Sequence, residues 1–77
     1  MTDDETSHAL ATISDAIRYL DLAAQKAAAS RRELESGDTE SAYRHARQAA
    51  GVTEGALHHL ESALKVVNGA PSREAKP

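Results

Sequence analysis

Between Leu10 and Leu34 the larger apolar residues return every three or four positions, as Leu10, Ile13, Ile17, Leu20, Ala24, Ala27 and Leu34, with Arg31 in the one slot that breaks the series. This 3.5-residue spacing is the mark of a helix packed along one seam and excludes a half-buried strand, whose period is two. A second track of small side chains, Ala9, Ala16, Ala23 and Ser30, runs beside it. Arg18, Gln25, Lys26, Arg32 and Glu33 are expected on the opposite, solvated side. Thr2 with Glu5, or Ser7, supplies a starting cap.

The link "ESGDTES" interrupts the pattern. Gly37 suits the left-handed position just past a helix, and Asp38 or Thr39 suits the first cap of the next. A link this short makes the two helices antiparallel neighbours. Beyond it, three tracks resume: Ala42, Ala49, Ala56 and Ala63; Tyr43, Ala50, Leu57 and Leu64; Ala46, Thr53, Leu60 and Val67. Asn68-Gly69 followed by Pro71 reads as a stop. The expected layout is an acidic tail or frayed turn over residues 1–6, helix 1 over about 7–36, a turn at 37–38, helix 2 over about 39–68, and a disordered tail over 70–77. Folding at Gly37 pairs positions whose numbers add to about 74 or 75, which sets Leu10 near Leu64, Ile17 near Leu57, Ala24 near Ala50 and Arg31 near Tyr43.

Composition explains why this hairpin needs more than itself. Of 77 residues 40% are apolar, but 16 of them are alanine against 12 Leu, Ile and Val, with no Phe, Trp or Cys. Alanine favours helix and buries little surface. Without disulfides or thiolate metal sites, a chain this small leans on association. Three apolar tracks out of seven are also wider than one neighbour covers. The expected fold class is all-α, an antiparallel helical hairpin that dimerises into a four-helix bundle. Its packing and dimer residues are Leu10, Ile13, Ile17, Leu20, Ala24, Ala27 and Leu34 on the first helix, and Tyr43, Ala46, Ala49, Leu57, Leu60, Leu64 and Val67 on the second.

No arrangement for chemistry emerges. No serine stands beside a base, no Gly-rich loop cradles phosphate, and no cofactor is implied. His58 and His59 are adjacent and diverge by about 100° around a helix, whereas a helical metal pair needs spacing of three or four. Glu5-x-x-His8 has the spacing of di-iron bundles but no further inward carboxylates. His45 and His59 share an edge with Val52 and Val66, about 21 Å apart, and are expected to border the helix contact while His58 is solvated. A neutral imidazole tolerates such a border, and its protonation opposes burial.

Tyr19 and Leu22 lie off the seam, three apart, as a candidate docking pair for another protein. Arg31 is expected to lay its stem over the alanine layer and stack on Tyr43. Arg32, Arg44 and Arg47, near the turn, are candidate nucleic-acid contacts, although Glu33, Glu35, Asp38 and Glu40 nearly cancel them. In architecture, a short antiparallel hairpin that dimerises resembles the Rop proteins, which bind paired RNA loops; the likeness is one of fold alone. With net charge −3 and no aromatics placed for base stacking, the chain is a poor match to nucleic acid. The hairpins exported by type VII secretion systems usually carry Trp-x-Gly at the turn and a C-terminal Tyr-x-x-x-Asp/Glu, neither of which stands here. The acidic start, the lack of a long apolar run and the missing cysteines point to a cytoplasmic, membrane-free protein. The sequence thus describes a non-enzymatic interaction module with itself as first partner.

Overall fold

The structure, a computed structural model, describes residues 1–75, with side chains described through Asn68. Two helices, α1 (Asp3–Glu35) and α2 (Thr39–Ala75), pack against each other as a hairpin. α1 starts earlier than the layout above because a full capping box forms at Thr2. The Glu5 amide donates to Thr2 Oγ1 at 3.1 Å and the Thr2 amide donates to Glu5 Oε1 at 2.9 Å. Two orphan donors are satisfied at once, and Asp3, Asp4 and Glu5 stand where the helix dipole favours negative charge.

The turn is built from very few residues. Gly37 takes φ +89°, its amide donates to Leu34 O at 3.1 Å, and the Asp38 amide donates to Glu33 O at 2.8 Å. These paired bonds, reaching back three and five residues, are the Schellman closure of a helix. Asp38 then opens α2, its Oδ1 accepting from the Ser41 amide at 3.1 Å. One residue therefore finishes the first helix and starts the second. α2 continues to Ala75, past the stop expected at Asn68-Gly69 and through the segment expected to be a tail; residues 76–77 of that tail lie outside the described residues.

The seam between the helices is one position away from the series of larger side chains. Buried residues are Ala9, Thr12, Ala16 and Ala23 on α1 and Ala42, Ala56 and Ala63 on α2, and among the described residues nothing larger than threonine is buried. Ala16 is fully covered. With only small side chains between them, the backbones approach closely. Ser30 Oγ crosses the seam to donate to Ala42 O at 2.6 Å, and the buried Thr12 hydroxyl is satisfied by His8 O at 2.8 Å in its own helix. Cross-helix contacts join Ser30 to Ala42, Tyr19 to Gly55 and His59, and Glu33 to His45. Their numbers add to between 72 and 78, which brackets the register derived from the turn.

The molecule measures 57 × 24 × 12 Å. Its thickness is that of a single helix with side chains, about 10–12 Å. Its radius of gyration, 17.3 Å, exceeds the roughly 11–12 Å of a compact chain of this length. The hairpin is a flat two-rod layer with two broad faces.

Candidate interaction surface

In an antiparallel pair, the positions one and four after each seam residue fall on the same side of the layer. On α1 these are Leu10, Ile13, Ile17, Leu20, Ala24, Ala27, Arg31 and Leu34. On α2 they are Tyr43, Ala46, Ala50, Thr53, Leu57, Leu60, Leu64 and Val67. Fourteen of these sixteen are apolar or aromatic, the exceptions being Arg31 and Thr53. Leu10, Ile17, Leu20, Leu34, Tyr43, Leu57, Leu64 and Val67 are between 37% and 64% exposed, and Ile13 and Leu60 are half-buried. At the open end of the hairpin, Ile13, Leu60, Ala63, Leu64 and Val67 line an apolar groove of about 330 Å³. Ala49, expected among the packing and dimer residues, is half-buried on the seam in line with Ala42, Ala56 and Ala63.

The opposite face is different in kind. Tyr19 meets the edge of His59 with ring centroids 5.0 Å apart and lies over Gly55, where an added Cβ would sit 2.6 Å from the tyrosine Cε2. Glu33 Oε1 and His45 Nδ1 are 2.7 Å apart across the helices. Val52, Val66 and Lys26 are half-buried along the same flank. Lys26 and Glu33, expected on the solvated side, thus border the contact. Tyr19 is engaged within the hairpin, whereas Leu22 is exposed beyond it. His45 and His59 are half-buried and His58 is exposed. Among the described residues no three His, Asp or Glu side chains converge on a point that would hold a metal ion.

Around the turn the arginines are exposed and point to separate tasks. Arg47, rather than Arg31, attends Tyr43: its guanidinium lies 5.9 Å from the ring centroid and Nη1 donates to the phenol oxygen at 3.1 Å. Arg44 acts on Asp38. The Ser41 amide and hydroxyl, with Arg44 nearby, hold the Asp38 carboxyl below the usual aspartate value. Arg32 gives its carbonyl to the Ser36 amide at the helix end. No described helix is long and apolar enough to cross a membrane.

Two features of this surface escaped the sequence reading. The Tyr19–Gly55 fit was signalled only by a glycine in mid-helix, where it costs about 1 kcal/mol relative to alanine and so invites a packing reason. The Glu33–His45 bridge follows from the seam's true position, which the larger side chains disguised. No family model, curated protein or solved structure matches the chain.

Proposed function

We propose that this chain is a non-enzymatic protein–protein interaction module that works as a homodimer, the apolar faces of two hairpins meeting to form a four-helix bundle. One observation carries the reading: a helix pair one rod thick leaves eleven large apolar side chains on its surface, eight of them on a single continuous face. Soluble monomers rarely show apolar patches beyond a few hundred Å² without a use for them.

Area supports the same conclusion. A compact 8.2 kDa monomer exposes roughly 4,500 Å² by the scaling of surface with mass. This chain exposes 5630 Å². The excess, about 1,100 Å², is comparable to the ~800 Å² each partner contributes to a standard interface. Self-association also needs no other gene product, and it supplies the second layer that helical domains require. The cysteine-free, acidic composition suits a cytoplasmic setting.

Substitution of the face tests the proposal. Leu57→Asp and Leu64→Asp place a charge where the second copy would sit, so each is expected to abolish the dimer and reduce helicity measured by circular dichroism. Leu22→Asp, on the other side of the layer, is expected to leave both unchanged. Equal behaviour of all three variants would defeat the assignment of the face.

A further inference from the structure

Side-chain size is distributed unevenly along the exposed face, and this determines how two copies meet. Leu10, Ile13, Ile17, Leu57, Leu64 and Val67 crowd the open half. The half nearest the turn presents Ala24, Ala27, Ala46 and Ala50, with Leu34 and Tyr43 at its extreme. Resting on the homodimer reading above, we infer that the two hairpins pack face to face with their turns at opposite ends of the bundle.

A two-fold axis lying in the interface allows two arrangements. With the turns together, α1 of one copy lies over α2 of the other in the register of the hairpin itself. Leu10 then faces Leu64 and Ile17 faces Leu57, while Ala24 faces Ala50. Large meets large at the open end, and small meets small in the alanine layers between the centre and Leu34 and Tyr43. Straight helices cannot fill both, and unfilled volume costs about 24 cal/mol per Å³.

With the turns opposed, α1 lies over α1 and α2 over α2, each antiparallel. The midpoint of α1 is residue 19, so facing positions on α1 add to about 38. Residue 19 is level with about residue 56 across the hairpin, so facing positions on α2 add to about 112. Leu10 then meets Ala27 of the second copy and Ile13 meets Ala24. On α2, Leu64 meets Ala50 and Val67 meets Ala46. Only at the centre do medium and large residues meet, as Ile17 with Leu20. Large against small in these four pairs is the pattern that packs without voids. The apolar groove between Ile13 and Val67 then faces the partner's alanine layers, and Leu34 and Tyr43 of each copy lie beyond it, near the partner's open end. Charge does not separate the arrangements, because carboxylates along the rim such as Asp21 and Glu54 approach other carboxylates in both.

The chain has no cysteine, so Ser36→Cys gives a single nitroxide site at the turn for pulsed electron–electron distance measurement. Opposed turns place the two labels roughly 50 Å apart, from 17 residues of helix on each side of the axis at 1.5 Å per residue. A distance under about 20 Å means turns together and overturns the proposal while leaving the dimer intact. Loss of any intermolecular distance, with sedimentation of a monomer, removes the dimer reading and this proposal with it.

Discussion

Gly55 and Tyr19 form a lock in which one residue's lack of a side chain is filled by the other's ring. The cost of glycine in a helix and the gain from the ring contact oppose each other, and a double substitution separates them. In a Tyr19→Ala background, Gly55→Ala is expected to stabilise the hairpin by about 1 kcal/mol in urea unfolding, the full helix-propensity gain. In the natural background the same change drives a Cβ to 2.6 Å from the ring and must displace it from His59, so the gain shrinks or reverses. Equal gains in both backgrounds would show that the ring contact has no weight. Asp38 offers a second test at this scale. Its lowered pKa means the folded state favours the charged carboxylate, so its contribution is complete above the ordinary value of 3.8 and is lost as pH falls through the lower folded value. The difference in melting temperature between the natural chain and Asp38→Ala is therefore expected to be full at pH 7 and to shrink below pH 3.8. A constant difference into strong acid contradicts that assignment.

At the scale of the helices, stability within one hairpin depends on a seam of methyl groups. Ala56→Leu inserts three carbons between backbones that alanine holds close, and overpacking of this kind costs about 1–3 kcal/mol. The same substitution at Ala46, which is exposed, is expected to leave the fold of a single hairpin intact. Chemical unfolding of both variants checks the contrast. The existence of two helices, the turn chemistry at Gly37 and Asp38, and the approximate register were legible, because periodicity, caps and a short link are local signals, whereas the outer ends were not: α1 begins at Asp3 and α2 runs on to Ala75. The seam was less so. A sequence read by hydrophobicity assigns Leu10, Ile17 and Leu57 to the contact, but in a two-helix layer close approach of the backbones favours Ala9, Ala16 and Ala56 there. The larger residues are pushed one position around each helix, onto the open face. The opposite flank was also hidden, since Glu33 and His45 look like solvated residues until the seam is fixed.

At the scale of the whole molecule, thickness is the decisive quantity. A 12 Å layer has no interior beyond its alanine line, and the leucines that would form a core lie on its surface. In the proposed dimer a second layer would convert that face into the interior of a bundle. Stability then depends on protomer concentration, as for any fold completed by association. Melting followed by circular dichroism is expected to shift upward by several degrees on raising the protein from 1 to 100 μM. Sedimentation equilibrium over the same range tests the central claim most directly. The account predicts a single folded species of twice 8.2 kDa at the higher concentration, dissociating with loss of helix on dilution. A fully helical, thermally stable species of 8.2 kDa at every concentration would contradict it.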